Sequence, residues 1–277
     1  MLELESSRIA FIGSGKMGEA MIKGLLTRKL TAPDGIIASD PVAQRRTQME
    51  ATYGVATTDD NGGAVAQADI VVLSVQPQVL ARAGDSLAGQ IPPDAVVLSI
   101  IAGASISTLR RALGHDAIVR CMPNTPAQVG MGVTVWTATP EVSARQREQT
   151  ALLLGALGLE LRVDDEHYLD AATGLTGSGP AFVLLLLEAF IDAGVHVGFA
   201  RADAQRMVYQ LMAGTLQMAQ ETGLHPAELK NRVTSPAGTT AAGLFELEAA
   251  GVRATMIRAV EAAYQRSVAL GAAQKQE

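Results

Sequence analysis

The sequence predicts an α/β chain in two parts: an N-terminal parallel sheet covered by helices on both faces, residues 1–165, and an all-helical C-terminal part, 166–277. Three observations carry this reading. Short, continuously apolar, β-branched runs alternate with helical stretches over the first part, the pattern of strands buried on both faces. A glycine-rich turn, Gly13-Ser-Gly15-Lys-Met-Gly18, follows the first such run directly and opens a helix. Beyond about Val163 the pattern changes to successive amphipathic or apolar helices, with no convincing strand.

Taken in order, Arg8-Ile-Ala-Phe-Ile12 reads as a buried strand and Met17 to Arg28 as a helix. Gly35-Ile-Ile-Ala-Ser39 is a second strand, followed by a helix from Pro41 to Ala51. Gly54 to Thr58 is a weak third strand, with a short helix near Ala64. Ile70-Val-Val-Leu-Ser-Val75 and Ala95-Val-Val-Leu-Ser-Ile100 are the clearest buried strands, and Ile118-Val-Arg-Cys-Met122 and Gly132-Val-Thr-Val-Trp136 follow. The C-terminal helices are Pro180–Val197, Arg201–Glu221, Pro226–Val233, Thr239–Ala250 and Val252–Ala269. Pro180 and Pro226 sit where a first helical turn tolerates proline, and Gly251 and Gly271 where helices stop. The stretch Ala181–Phe190 is apolar nearly all round and must be buried by something. So short a helical segment cannot cover all of it, which predicts a second subunit.

Composition narrows the function. One cysteine, Cys121, allows no internal disulfide and no Cys-based zinc cluster, and four histidines leave little room for a His-rich metal site. One Trp, four Tyr and five Phe are too few for a base-stacking surface. A net charge of −6 argues against nucleic-acid or anionic-membrane partners. Met1 to Ser7 shows no basic or apolar leader pattern. The apolar run Ala181–Leu187 is interrupted by Glu188, short of the roughly 20 residues that span a bilayer. A soluble, cytoplasmic protein is expected.

The glycine turn has a specific physical meaning. Gly13 permits the tight turn, Gly15 lets backbone approach a pyrophosphate, and Gly18 lets helix and strand pack closely, so the helix N-terminus presents free N–H groups to phosphate. Its place between strand and helix marks a Rossmann dinucleotide site, to which Ser14, Lys16 and Met17 also belong. Asp40, at the end of the second strand, stands where an acid binds the ribose of NAD. Ser39, Arg45 and Arg46 suit the 2′-phosphate of NADP instead, and the choice stays open. Ser74-Val-Gln-Pro77 and Ile101-Ala-Gly103 follow the fourth and fifth strands on the ligand edge, and Pro123-Asn-Thr-Pro126 is a stiff loop at the same edge. Cys121, inside an apolar strand, reads as a small buried hydrophobe rather than a nucleophile.

Two further Gly/Ser/Thr-rich stretches run into helices: Gly174-Leu-Thr-Gly-Ser-Gly-Pro-Ala181 and Thr234-Ser-Pro-Ala-Gly-Thr-Thr240. Loops of this kind offer amides and hydroxyls to a carboxylate, although simple N-capping by Ser and Thr accounts for them as well. Together with the GxGxMG start, Arg120-Cys-Met-Pro-Asn-Thr-Pro126 and Glu228-Leu-Lys, they give the chain a resemblance to pyrroline-5-carboxylate reductases that covers nearly its whole length. The Thr234–Thr240 stretch is close to that family's signature.

The resemblance implies NAD(P)H-dependent reduction of 1-pyrroline-5-carboxylate to L-proline, with NADPH as cofactor and NADH possible. It places the substrate on Glu166, Ser235, Gly238, Thr239 and Thr240, with Thr240 bonding the ring nitrogen as the catalytic position. It places the cofactor on Gly13–Gly18, Ser39, Asp40, Asn61, Ser74, Val75, Gln76, Pro77 and Ala102. It implies homodimers built from the C-terminal helices and assembled into decamers. Two positions depart from the family pattern: Gln76 stands where lysine is usual, and Ala237 where glycine is common. The competing reading is a two-domain β-hydroxyacid dehydrogenase, which needs a lysine on the first long C-terminal helix; that helix, Pro180-Ala-Phe-Val-Leu-Leu-Leu-Leu-Glu-Ala, has none.

Overall fold

The computed structural model of the chain describes residues 4 and 6–274. They divide into two compact units, Gly179–Ala262 and the rest of the described chain.

The larger unit is built on β1 (Ile9–Ile12), α1 (Lys16–Thr27), β2 (Ile36–Ser39), α2 (Ala43–Tyr53), β3 (Ala56–Thr58), α3 (Asn61–Val65) and β4 (Ile70–Leu73). It continues with α4 (Leu80–Leu87), β5 (Val96–Ser99), α5 (Ile106–Leu113), β6 (Ile118–Met122), β7 (Gly132–Ala138), α6 (Ala144–Gly155), β8 (Gly158–Arg162) and α7 (His167–Ala172). The eight strands form one sheet in the order β3-β2-β1-β4-β5-β6-β7-β8. The order reverses beside β1, which opens a crevice at the carboxyl ends of β1 and β4.

Alternation along each strand fills both faces. Phe11, Val72, Leu98 and Cys121 point to one face with Met21 and Leu25 of α1, Met49 of α2 and Leu154 of α6. Ala10, Val71, Leu73 and Val97 point to the other with Val65 of α3, Leu87 of α4 and Leu109 and Leu113 of α5. This is why the strands read as unbroken apolar runs. Each fully buried Leu, Ile or Phe contributes on the order of 1.5–3 kcal/mol.

The sheet is not wholly parallel. β1 to β6 run parallel, but β7 pairs antiparallel with β6, Cys121 opposite Trp136, and β8 then runs parallel to β7. Only the stiff 3₁₀ loop Thr125–Val129 joins β6 to β7, too short for a crossover helix. β8 escapes a sequence reading because Leu159 and Leu161 alternate with polar residues and stay exposed at the sheet edge.

The stretch before the apolar helix also differs from expectation. Gly174–Ser178 is not a loop: a single π-helical turn, Thr173–Gly177, joins α7 to α8 (Gly179–His196) without a break. Ser178 N donates to Thr173 O at 2.9 Å, the wide bond of a π turn. Thr176, in the stretch for which capping was one reading, and Thr173 just before it turn their hydroxyls back onto Ala172 O and Leu169 O at 2.9 and 2.8 Å. The resulting run, His167–His196, is long and apolar enough by length and composition to cross a bilayer, unlike the Ala181–Leu187 stretch alone.

The smaller unit holds α8, α9 (Arg201–Thr222), α10 (Pro226–Arg232), α11 (Thr239–Ala249) and the first part of α12 (Val252–Gln274), in close accord with the sequence reading except that α12 runs past Ala269 and through Gly271, which does not stop it. α8 meets α9 where Gly194 lies against Ala204; a Cβ on Gly194 would stand 2.9 Å from that of Ala204. Few of its apolar side chains are buried. Leu184 is 63% and Leu185 64% exposed, and Val183, Phe190, Leu211, Phe245 and Ile257 also face outward.

Candidate active site

The turn after β1 is held by backbone. Gly13 adopts φ +91°, and its N–H donates to Ser39 O at 2.8 Å. Ser74 at the end of β4 closes the turn, donating from Oγ to Gly13 O at 2.5 Å. A Cβ at Gly18 would lie 2.7 Å from Gly13 O, so glycine there is a packing requirement. Gly15 caps α1 with no side-chain bond and open space around it, leaving the first amides of the helix facing the crevice.

That crevice is a cavity of about 460 Å³. It brings together Gly13, Gly15, Ser39, Asp40, Asn61, Ser74, Val75 and Gln76 of the expected cofactor residues. The others stand around it. Ser14 is buried beneath Asp40, Lys16, Met17 and Gly18 lie at the first turn of α1, Pro77 opens a 3₁₀ turn, and Ala102 follows β5. Sequence reasoning missed Val42, Asp59, Val79 and Arg82, which also line the cavity. The signal for Val79 and Arg82 was their position on or just before the helix after the β4 loop.

Asp40 is tightly held. Its Oδ2 accepts from Ser14 N at 3.0 Å and Ser14 Oγ at 2.9 Å, and its Oδ1 accepts from Val42 N at 3.0 Å. Ser39 Oγ donates to Asn61 Oδ1 at 2.7 Å, and Asn61 Nδ2 donates to Ser86 Oγ at 2.9 Å. Arg45 bonds Ser14 O through Nε at 2.6 Å and pairs with Glu19 at 2.7 Å. Burial alone would raise the Glu19 carboxyl, but hydrogen bonds from Arg45 and Tyr53 hold it below the usual carboxylate range. Arg46 bonds Asp40 O at 2.8 Å and pairs with Asp59 at 3.4 Å.

Further along the same sheet edge, Glu166 Oε1 accepts from Ile106 N, at the start of α5, at 2.8 Å and from Arg120 at 2.7 Å. The Arg120 side chain is only 8% exposed and also faces Asp170 at 3.8 Å, which in turn accepts from Ser267 Oγ at 2.8 Å. Glu166 is therefore bound to the start of α5 and to β6. Asn124 of the Pro-Asn-Thr-Pro loop accepts from Val133 N at 2.8 Å and donates to Thr176 O at 3.0 Å, which ties the π turn to the sheet. Cys121 contacts Ser99 O at 3.3 Å in full burial, which pushes its thiol far above the ordinary range despite the neighbouring Arg120.

Ser235, Gly238, Thr239 and Thr240 lie in the smaller unit, where the loop runs into α11. Gly238 is the N-cap, with no side-chain cap bond, so the amides of Thr239 and Thr240 are left for another acceptor. A Cβ at Gly238 would overlap Ser235 Oγ, so the glycine lets that hydroxyl sit over the helix start. Hydroxyls and amides around a helix N-terminus suit a carboxylate. Ala237 sits at φ +55°, in the left-handed region, at a cost of about 1–2 kcal/mol. Ala237→Gly should therefore raise stability by up to about 1 kcal/mol after the extra unfolded-state freedom of glycine is deducted. An unchanged or lower denaturant midpoint would show that the loop carries no such strain. Among the described residues no group of three or more His, Cys, Asp or Glu is arranged to hold a metal ion.

A Rossmann crevice on one unit and an uncapped, hydroxyl-lined helix start on a helical second unit define a dinucleotide-dependent oxidoreductase. Residues 166–270 match the family model described as pyrroline-5-carboxylate reductase dimerisation, and residues 8–103 the model described as NADP oxidoreductase, coenzyme F420-dependent. The pyrroline-5-carboxylate reductase of Synechocystis sp. is 42% identical over 266 residues, 96% of this chain and 99% of that protein. That of Arabidopsis thaliana is 37% identical over 263 residues, 95% of each. A solved pyrroline-5-carboxylate reductase from Coxiella burnetii superposes with a TM-score of 0.89 at 31% identity, covering 96% of this chain and 99% of the other. The chain belongs to the pyrroline-5-carboxylate reductase family.

Proposed function

We propose that the protein reduces 1-pyrroline-5-carboxylate to L-proline, the last step of proline synthesis. The single observation that carries the reading is the helix start at Gly238–Thr240, an anion-binding arrangement in a chain whose other unit presents a dinucleotide crevice. When bound, the reduced nicotinamide, of NADPH or NADH, supplies hydride to the C=N carbon.

The substrate carboxylate is held by Ser235 Oγ and the amides of Thr239 and Thr240. Thr240 Oγ orients the ring nitrogen, which must be protonated because an iminium accepts hydride far better than a neutral imine. That proton stays on the nitrogen of the amine product, so no strong enzyme acid is needed. The protein supplies alignment and an anchor, which fits a site without a His/Asp pair. Glu166, which the family resemblance also assigns to the substrate, is fixed in the larger unit by Arg120 and the start of α5. Residues 1–165 serve as the cofactor domain and 166–277 as the substrate and dimerisation domain of a cytoplasmic homodimer. The dimers assemble further into decamers, with neither nucleic acid nor membrane as partner. A β-hydroxyacid dehydrogenase is disfavoured because α8 carries no lysine.

The test is steady NAD(P)H oxidation on addition of pyrroline-5-carboxylate; turnover of a 3-hydroxy acid instead would reject the reading. Thr240→Ala should lower kcat/KM by about tenfold or more, equivalent to ~1.4 kcal/mol. Unchanged kinetics in that variant would remove Thr240 from the role.

A further inference from the structure

We propose that Asp40 sets coenzyme choice in this protein, favouring NADH over NADPH by holding an anion where the 2′-substituent of the adenosine ribose would lie. The inference rests on the dinucleotide reading of the crevice, and it runs against both the sequence expectation of NADPH and the NADP in the name of the model that residues 8–103 match.

An acid at the end of the second Rossmann strand accepts a ribose hydroxyl. Asp40 is built for that and little else. A carboxylate has about four acceptor positions. Ser14 N, Ser14 Oγ and Val42 N occupy three of them, leaving capacity on Oδ1. A 2′-hydroxyl has a proton to give to that position. A 2′-phosphate has none at neutral pH except in its minor protonated form, and it brings up to two negative charges against Asp40.

A phosphate could still be held if cations or hydroxyls nearby were free to compensate, but Ser39, Arg45 and Arg46 are committed within the protein. Ser39 gives its proton to Asn61, and Asn61 donates onward to Ser86. Arg45 is neutralised by Glu19 and anchored on Ser14 O. Arg46 is paired with Asp59, itself a second anion lining the crevice. Recruiting Arg45 to a phosphate would leave Glu19 to the Tyr53 hydroxyl, and recruiting Arg46 would take from Asp59 its arginine. Arg82, on α4, also lines the crevice, but it shares that lining with two acids, Asp40 and Asp59.

The experiment is titration of the full-length protein with NADH and with NADPH, followed by coenzyme fluorescence and without substrate. NADH should bind at least about tenfold more tightly, or 1.4 kcal/mol. Asp40→Asn, which keeps the shape and removes the charge, should close most of that gap by tightening NADPH. Glu19→Gln, with Asp40 intact, should also tighten NADPH by releasing Arg45, and it serves as a second arm should Asp40→Asn fail to fold. Equal binding of the two, tighter NADPH in the unmodified protein, or a ratio unmoved by Asp40→Asn and Glu19→Gln would overturn this inference alone. Binding of neither coenzyme would overturn the dinucleotide reading with it.

Discussion

Alanine at position 13 should abolish useful dinucleotide binding while leaving most of the helical structure in place. Gly13 adopts φ +91°, where an L side chain is strained, and a Cβ there would stand 2.9 Å from Ser74 O and 3.0 Å from Val75 Cγ1. Neither contact is a flexible tip: one is backbone and the other belongs to a side chain lining the cofactor crevice. The turn must therefore shift, and with it the Ser39 and Ser74 bonds that place the α1 amides. A loss of at least about a hundredfold in kcat/KM, ~2.7 kcal/mol, is expected. Gly15 supplies the contrast. A Cβ there meets nothing within 4 Å, so Gly15→Ala should fold normally, and any loss of coenzyme affinity would come from obstructing the pyrophosphate itself. Coenzyme titration together with circular dichroism separates the two. Normal coenzyme affinity in Gly13→Ala would show that the turn tolerates a shift.

The second large effect concerns the helical unit. Leu185→Glu should convert the assembly into smaller species and remove activity with it. Leu184 and Leu185 are more than half exposed in the single chain, and Val183 and Phe190 beside them also face outward. Covering such side chains is worth about 1.5–3 kcal/mol each, so the face is a strong driving force for association. A glutamate in the middle of it forfeits one anchor and must also be desolvated or protonated. A penalty near 4 kcal/mol would raise the dissociation constant by about a thousandfold. Light scattering should show the unmodified protein well above its 28.9 kDa chain mass and the variant falling toward it. A variant that keeps both mass and activity would mean that this face lies outside the interface.

Much of the architecture was legible in the residues. The runs at Ile70–Val75 and Ala95–Ile100 became β4 and β5, and the C-terminal helices fall close to the boundaries set by Pro180, Pro226 and Gly251. Periodicity and terminal residues report local structure directly. The antiparallel turn into β7 was hidden because strand direction depends on the connection and leaves no mark on a run such as Gly132–Trp136. The π turn was hidden because Gly, Ser and Thr have the same composition in a loop as in a helix whose hydroxyls bond backward. At the cofactor crevice, Ser39, Arg45 and Arg46 were visible as potential donors, but their partners Asn61, Glu19 and Asp59 lie 13 to 26 positions away. A sequence shows a donor's presence and not its commitments. Ala237 shows the reverse case: the residue itself marked the position, and the backbone angle explained why glycine would suit it.

Cys121 makes the molecule chemically quiet. As the only cysteine in the chain, packed between β5 and β7 with its thiolate form suppressed, it leaves the native fold almost blank to alkylating reagents. The rate at which it is eventually modified then counts openings of the central sheet, an internal clock for global unfolding. A cysteine introduced elsewhere on the surface would be a single addressable handle, so probes can be attached to either unit without first removing a native thiol.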